Sequence, residues 1–303
     1  MSARLPRSAR SARAGWDTGL TPYVFLLPFA LVFFVFRIAP LAYGLFLSLT
    51  DARLGRSAVS FVGLDNYAAL LTDNLFHLSL VNTGRFTLAA TLPVLGLPLL
   101  FAVVLNRGVP MRNFLRSIYF LPFTLSVVTL GLIWLWFLDP VTGLLNYYLR
   151  QLGFAPPAWT GNPTTALWAV VLATVWWVTG YYLVIYLAAL QDIPRHLYEA
   201  AELDGAGPAR RFWSITLPLM RPILLFVLVV HVIGAFQIFG QVFVMTNGGP
   251  ANATRTVVQN IYETGFRGQF LLGPAAAMSW VLFVFIVVFS VLQFRLLGGH
   301  TEY

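Results

Sequence analysis

Residue types that carry catalytic chemistry are scarce in this chain of 303 residues. It contains no cysteine and no lysine, and its histidines, His77, His196, His231 and His300, lie in separate segments. Without lysine no nucleotide-binding P-loop can be written, and without cysteine disulfide and thiol chemistry are excluded. No cluster of acidic residues and histidines has the spacing of metal ligands. We therefore predict no catalytic residue, no metal site and no cofactor held by this chain.

The side chains best suited to chemistry are polar and aromatic groups inside long apolar segments. Trp177 and Tyr181 lie in the fourth such segment, and His231, Gln237 and Gln241 lie in the fifth. Sugars present hydroxyl edges and apolar C–H faces, so neutral hydrogen-bonding groups beside aromatic rings suit their recognition. These five residues form a candidate substrate pathway.

Other interpretations of these residues remain open. Tyrosine and tryptophan near the ends of spans anchor helices at the membrane interface, and an intramembrane histidine can serve only to hydrogen-bond a neighbouring helix. Gln237 and Gln241 are one helical turn apart on one face, which would line a pathway or contact a partner. Arg37, inside the first apolar segment, either snorkels outward or marks a phosphate-bearing substrate.

A second candidate site lies in the polar segment 191–221. The segment reads Glu-Ala-Ala, three residues, Gly, nine residues, and then Ile-x-Leu-Pro. The residues at the fixed positions of this spacing are Glu199, Ala200, Ala201, Gly205, Ile215, Leu217 and Pro218. Such charged sequence between two apolar runs predicts a loop at the membrane surface.

Proline and glycine predict the structure of this loop. Pro194 suits the first turn of a helix, where its missing N–H is not needed. Asp204 and Gly205 predict the end of that helix, because glycine accepts the left-handed conformation. Pro208 opens a second short helix, Ala209–Leu217, which Pro218 is predicted to close.

Composition places these sites in a membrane protein. The chain is 58% hydrophobic and 10% charged, whereas soluble domains keep about 25% charged residues. Six apolar segments have about the length that a bilayer requires, and they are Pro22–Leu49, Thr83–Leu105, Phe114–Leu138, Thr165–Leu190, Pro222–Met245 and Pro274–Leu297. We predict an all-α membrane protein with six transmembrane helices, in which prolines inside the spans mark kinks or a hinge.

The arginines orient these spans. Twelve lie on the side that contains the N-terminal tail, the 106–113 turn, the 191–221 loop and the C-terminal end, and five lie in the other loops. The positive-inside rule makes the richer side cytoplasmic, with both termini inside. The first apolar run is too long for the core of a signal peptide, so we predict a retained anchor. Arginines that flank a span indicate topology rather than nucleic-acid binding.

Together these features resemble the permease subunits of binding-protein-dependent ABC importers. The seven fixed positions of the 191–221 loop match that family's EAA loop. Asn-Gly-Gly-Pro at 247–250, Phe-Leu-Pro at 120–122 and Gly-Leu-Asp-Asn-Tyr at 63–67 resemble its carbohydrate-type members, the maltose, lactose and glycerol-phosphate permeases. The resemblance covers about residues 20–298.

The resemblance implies a type I importer permease fold with a cytoplasmic coupling-helix loop at 191–221. The implied organisation is a basic cytoplasmic tail (1–21), a first transmembrane helix with an outer loop (22–80), a permease core with five transmembrane helices (81–298) and a cytoplasmic tail (299–303). The chain would lie in the cytoplasmic membrane and translocate a sugar or a sugar-like solute. Glycerol phosphate, a polyamine or another small polar solute is the alternative.

The resemblance also implies partners and roles. The partners are a second permease subunit, two ATP-binding cassette subunits that bind the ATP, an extracytoplasmic solute-binding protein and membrane lipid, with no nucleic acid. Tyr181 and His231 fall at family positions that touch substrate, although His231 replaces a smaller residue type. The residues implied to contact the ATPase are Glu199, Ala200, Ala201, Asp204, Gly205, Ile215, Leu217 and Pro218.

Three rival functions are open at this point: an ABC importer for polyamines, phosphate esters or peptides, an ion-coupled carrier, and a membrane enzyme acting on lipids. An ion-coupled carrier usually needs an intramembrane carboxylate, which none of the six spans contains, although sodium sites built from carbonyl groups need none. A lipid-modifying membrane enzyme would need clustered acidic or histidine residues. The 191–221 loop could also be an ordinary interfacial helix.

Loops 139–164 and 247–273 are candidate docking sites for a solute-binding protein.

Overall fold

The computed structural model describes residues 21–56, 58–268 and 270–297, and this part of the chain is helical without any strand. The predicted tail 299–303, and 1–21 except for its last residue, lie outside the described residues. The helices are α1 (Thr21–Phe33), α2 (Ala39–Ser48), α3 (Asp65–Leu70), α4 (Asn74–Asn106), α5 (Arg112–Phe120), α6 (Val127–Phe137), α7 (Leu144–Gln151), α8 (Ala166–Asp192), α9 (Arg195–Leu203), α10 (Pro208–Arg211), α11 (Leu217–Leu219), α12 (Arg221–Phe236), α13 (Gly240–Met245), α14 (Val257–Phe266) and α15 (Leu272–Leu297).

Four helices of the described chain are long and apolar enough to cross a membrane. They are Pro22–Ser48, in which a π-helical turn joins α1 to α2, together with α4, α8 and α15. Two further pairs pass the same test but are bent, Arg112–Thr124 with α6 by 101° and Pro208–Leu219 with α12 by 64°. The structure therefore holds four candidate spans, or up to six if each bent pair is one span.

The predicted third span is not one straight helix. After α5 the chain forms a 3₁₀ turn, Leu121–Thr124, and then becomes extended at Leu125, where ψ is 144°. The Ser126 hydroxyl accepts a hydrogen bond from the Thr129 N–H and caps α6. Pro122, which lies inside this turn, has no N–H for a regular helix, so the break occurs where the sequence places a proline.

The predicted fifth span, Pro222–Met245, is also interrupted. Helix α12 ends at Phe236, and the chain leaves the helical conformation at Phe239, where φ is −139°. The Ile238 carbonyl accepts a hydrogen bond from the Thr256 hydroxyl at 2.9 Å, so a side chain replaces a helical partner. Gln237 and Gln241 therefore belong to different helical segments, and the prediction that they share one helical face is wrong.

The core lies where α4 packs along α8. Fully buried alanines on both helices, Ala90 and Ala102 on α4 and Ala169 and Ala173 on α8, allow the two backbones to approach closely. Helix α4 stays continuous through Pro93 and Pro98 and begins at Asn74, nine residues before the predicted span. The Asp73 carboxylate accepts hydrogen bonds from two N–H groups of its first turn, which fixes this start.

Helix α12 forms a second buried cluster with α3, α14 and α15. The long first helix packs on the bundle through α2, which contacts α15. At its end the Ser48 hydroxyl meets the Tyr67 hydroxyl at 2.7 Å and the Asn66 amide donates to the Ser48 carbonyl. The apolar side chains of α1 are exposed. The described chain thus combines a packed bundle with one helix that projects from it.

Candidate functional site

The glycine turn of the 191–221 loop closes α9. Gly205 has a φ of +73°, its N–H donates to the Glu202 carbonyl, and the Ala206 N–H donates to the Ala201 carbonyl. This is the hydrogen-bond pattern of a Schellman motif, in which a left-handed glycine satisfies the last carbonyl groups of a helix. Local residues alone thus position the end of α9.

The second helix of the loop differs from the prediction, because Pro218 does not close it. The chain runs from α10 through a π-helical turn, Phe212–Thr216, into α11, which ends at Leu219. The Leu217 N–H reaches the Phe212 carbonyl five residues back. This widened turn accommodates the ring of Pro218 inside the helical segment, where a regular turn would clash.

The structure divides the eight predicted coupling residues into two groups. Glu199, Ala200, Asp204 and Gly205 are exposed and form what we call the coupling face. The half-buried members of the set are Ala201, Ile215, Leu217 and Pro218. The half-buried group is therefore suited to supporting the loop rather than to contacting another protein.

Two apolar residues that the sequence argument missed extend the exposed surface of the loop. Leu203, the last residue of α9, is 90% exposed, and Trp213 is 66% exposed. Leu203 could have been recognised in the sequence as an apolar residue on a short, mostly polar helix. Such exposed apolar side chains beside charged ones are typical of a surface that another protein or a membrane covers.

Contacts within the loop and with the bundle hold this face in place. The Tyr198 and Thr216 hydroxyl groups lie 2.9 Å apart, and the Arg211 guanidinium donates to the Glu202 carboxylate at 3.2 Å. Leu197 and Tyr198 pack against the main core. Movement of the α9 surface would therefore be transmitted to the ends of α8 and α12.

The aromatic members of the predicted substrate pathway lie together. The Phe123 ring stacks on Tyr181 with centroids 4.6 Å apart and lies 5.6 Å from Trp177. Tyr182 contacts Tyr181 and, edge to face at 6.3 Å, the ring of His231. Phe123 and Tyr182 were not in the predicted set, yet they connect its members across the 3₁₀ turn, α8 and α12.

The absence of a side chain at Gly180 makes this arrangement of aromatic rings possible. Gly180 of α8 faces the backbone of Tyr119 and Phe120, and a Cβ atom there would collide with the Tyr119 carbonyl. The end of α5 can therefore cross directly over α8 and place Phe123 beside Tyr181.

Three buried polar atoms in this region have no hydrogen-bond partner within the described residues. They are Nε1 of Trp177, the hydroxyl of Tyr186 and Nε2 of His231. An unpaired buried polar group costs about 1–3 kcal/mol, so such atoms are suited to water or to a polyhydroxylated ligand. Gln241 is buried and Gln237 is exposed at the end of α12, and the interruption after Phe236 separates them.

The segment 246–267 is a densely bonded loop. The Arg255 guanidinium lies 2.7 Å from the Glu263 carboxylate, and both side chains are largely buried. Gln259 donates to the same carboxylate at 3.1 Å, and the Asn82 amide of α4 donates to the carbonyl groups of Asn252 and Arg255. This loop is thereby fastened to the first turns of α4.

The segment 139–165 is ordered by local hydrogen bonds. The Asp139 carboxylate accepts bonds from the N–H groups of Thr142 and Val141, and these bonds hold the pKa of Asp139 below its ordinary value. The Trp159 indole donates to Asn146, whose amide donates to the Asp139 carbonyl. The described residues contain no group of three or more histidine or acidic side chains placed to hold a metal ion.

Comparison with known proteins shows what the chain as a whole is similar to. Residues 94–297 match the family described as the binding-protein-dependent transport system inner membrane component. The arabinooligosaccharides transport system permease protein AraP of Bacillus subtilis is 35% identical, over 97% of this chain and 95% of its own. The sn-glycerol-3-phosphate transport system permease protein UgpA of Agrobacterium fabrum is 36% identical, over 94% and 97%.

Solved structures share the fold. A chain of a bacterial alginate ABC transporter, crystallised in complex with an alginate pentasaccharide-bound periplasmic protein, superimposes with a TM-score of 0.80. The match covers 90% of this chain and 92% of that chain at 23% sequence identity. A second alginate importer structure matches with a TM-score of 0.78 at 24% identity.

Proposed function

The chain belongs to the inner membrane components of binding-protein-dependent transport systems, and on this premise we propose that it is the permease subunit of an ATP-driven importer for a sugar or sugar-like solute. The observation that carries the proposal is the coupling face, which the described chain leaves exposed beside helices that are long and apolar enough to cross a membrane. In this proposal each bent helix pair contributes one span, and the Pro208–Leu219 part of the second pair lies at the membrane surface. Six spans would put both termini and the 191–221 loop on one side of the membrane, and the arginine distribution favours the cytoplasmic side.

We propose that one of two ATP-binding cassette subunits docks on the coupling face. Glu199 would meet a basic group of the ATPase, while the turn at Gly205 keeps the backbone close to the contact. Closure of the ATPase subunits would shift α9, and through Tyr198 and Thr216 the ends of α8 and α12. This supports alternating access, in which ATP binding opens the cavity toward an extracytoplasmic binding protein. The chain itself would catalyse no reaction.

The aromatic cluster supports a neutral, hydroxyl-bearing solute. Stacked rings of Phe123 and Tyr181 suit the apolar face of a sugar, and the unpaired polar atoms of Trp177 and His231 suit its hydroxyl groups. A second permease subunit would complete the pathway on the opposite side. The name of the AraP relative, which refers to arabinooligosaccharides, favours an oligosaccharide.

Glycerol 3-phosphate is the second candidate solute, because the UgpA relatives are equally similar. Arg37 supplies a cationic group within the first span, which a phosphate would use. Thermal-shift screening of the cognate binding protein separates the candidates, because only the true solute raises its melting temperature. Arabino-oligosaccharides, maltose and glycerol 3-phosphate are the first panel.

Affinity purification of the full-length chain from its native membrane in mild detergent tests the class of transporter. We expect an ATPase in stoichiometric amount and a second permease chain to co-purify. Recovery of the chain alone under several detergents would contradict the proposal. An ion-coupled carrier would then lead, and uptake would respond to an uncoupler but not to ATP depletion.

A further inference from the structure

A groove runs between the second half of α4 and the start of the α10 segment. Its volume is about 420 Å³. The α4 wall consists of residues at helical spacing on one face, namely Gly96, Leu99, Leu100, Val103 and Arg107. The opposite wall is formed by Pro208, Ala209, Phe212 and Trp213. Arg107 is therefore the only charged residue that lines an otherwise apolar groove.

A second cavity of about 430 Å³ adjoins the groove at its Arg107 end. Val103, Arg107, Pro208 and Phe212 line both spaces. The cavity adds polar groups to this shared boundary, namely those of Asn106, Tyr198, Arg211 and Thr216. The two spaces together form one site with a cationic, hydrogen-bonding head and an apolar tail.

The charge of the head region favours an anion. Arg211 pairs with Glu202 at 3.2 Å, whereas Arg107 makes no ion pair in the ranges 21–56, 58–268 and 270–297. Two guanidinium groups thus face one cavity with a single carboxylate near them. Basic pockets between transmembrane helices are suited to the head groups of anionic lipids.

The length and surroundings of the groove favour a lipid over a soluble anion. From Gly96 to Arg107 the helix rises about 16 Å, which is comparable to an acyl chain that extends from the membrane surface toward the bilayer centre. Leu100 and Trp213 are more than half exposed, so the groove opens sideways. Trp213 in the groove wall is a residue type that is enriched at the membrane interface.

We propose that this site binds one anionic phospholipid, with the phosphate at Arg107 and Arg211 and one acyl chain along α4 to Gly96. A Cβ atom at Gly96 would meet no other atom within 4 Å, so space for the end of the chain is present. The two walls belong to a membrane helix and to the 191–221 loop, and the bound lipid fastens one to the other. The site lies outside the aromatic cluster and does not depend on which solute is carried.

Native mass spectrometry of the full-length chain, with whatever subunits co-purify, tests this site by titration with dioleoylphosphatidylglycerol or dioleoylphosphatidylcholine. We expect one phosphatidylglycerol to bind at least about fivefold more tightly than phosphatidylcholine, and Arg107→Gln to remove about fivefold of that affinity. Arg112→Gln, which removes an exposed arginine on the next helix, should change neither value.

A pair of glycines on the same helix tests the acyl-chain part of the groove. Gly96→Phe fills it and should abolish retention of the lipid, whereas Gly84→Phe should not, although a Cβ atom at either glycine meets open space. Equal retention in both variants, or equal binding of both lipids, would overturn the proposal. Release of a partner subunit by Gly96→Phe without any change in lipid binding would overturn it too, since the groove would then be a protein interface.

Discussion

The 191–221 and 246–267 loops lie at opposite ends of α4. Both contain an Arg–Glu ion pair and a glycine with positive φ, but these features are exposed in the first loop and buried in the second. Each has an Arg–Glu ion pair, 3.2 Å between Arg211 and Glu202 and 2.7 Å between Arg255 and Glu263. In the first pair the Glu202 side chain is 71% exposed, whereas in the second neither side chain exceeds 21%. The 191–221 loop therefore exposes its charged groups, whereas the 246–267 loop buries them in contacts within the chain.

The glycines of the two loops show the same contrast. Gly205 and Gly248 both have positive φ, +73° and +81°. A Cβ atom at Gly205 would meet nothing within 4 Å, whereas one at Gly248 would lie 2.9 Å from the Gln259 amide nitrogen. An exposed loop and a buried, internally bonded loop can therefore share local geometry. Burial distinguishes them, so substitutions should affect coupling in the first loop and stability in the second.

The largest effect is expected at the coupling face. Gly205→Asp places a side chain and a charge where the ATPase would dock, and Glu199→Lys reverses the charge of the exposed carboxylate. We expect each to reduce ATP-driven uptake to background while the chain stays in the membrane. Uptake in vesicles and immunoblotting of the membrane fraction measure the two quantities.

Gly207→Asp is the matched control for Gly205→Asp, because it adds the same charge two residues away. Gly207 has a φ of −65° and caps α10, a position where aspartate is favourable. Uptake should persist in this variant. Normal uptake in both Gly205→Asp and Glu199→Lys would contradict the assignment of the coupling face.

The next effect is expected on stability at Gly248. Alanine in the left-handed conformation costs about 1–2 kcal/mol, and at Gly248 it also presses on Gln259. We expect Gly248→Ala to lower the apparent melting temperature in detergent more than Gly205→Ala does. Equal decreases would show that the space around the two glycines does not distinguish the loops.

The buried ion pair should contribute to stability by a comparable amount. Glu263→Gln leaves the Arg255 charge without its counter-charge, and we expect a loss of about 2 kcal/mol, below the 3–5 kcal/mol of a fully buried pair. The melting temperature should fall, and uptake per folded molecule should stay unchanged. A loss of uptake without a loss of stability would assign a direct transport role to this loop.

The sequence was sufficient for features that depend on local residues. Apolar runs of bilayer length predicted four helices that are long and apolar enough to cross a membrane. The glycine turn at 205 followed because a Schellman motif needs only neighbouring residues. The interruption at 237–239 depends on Thr256, a residue distant in sequence whose hydroxyl reaches the Ile238 carbonyl. No helical periodicity could have predicted that contact.

The same distinction applies to the candidate sites. Trp177, Tyr181 and His231 were identifiable as polar aromatic groups in apolar spans, but Phe123 was not, because its position depends on Gly180 and the crossing of α5. The division of the eight coupling residues into exposed and half-buried groups also required the structure. Residue type indicated what these side chains could bind, and packing determined which of them are accessible.

The smallest effect is expected at the exposed ion pair, and it completes the comparison. Glu202→Gln removes the charge that faces Arg211, but the carboxylate is mostly in water, where such pairs contribute about 0–1 kcal/mol. We expect no measurable change in melting temperature, in contrast to Glu263→Gln. If Glu202→Gln instead destabilised the chain as much as Glu263→Gln, the 191–221 loop would be held by its own ion pair, and the contrast between a presenting and a shape-holding loop would fail. Glu202 lies beside the coupling face. A change in uptake without a change in melting temperature would therefore assign this residue to the docking surface as well.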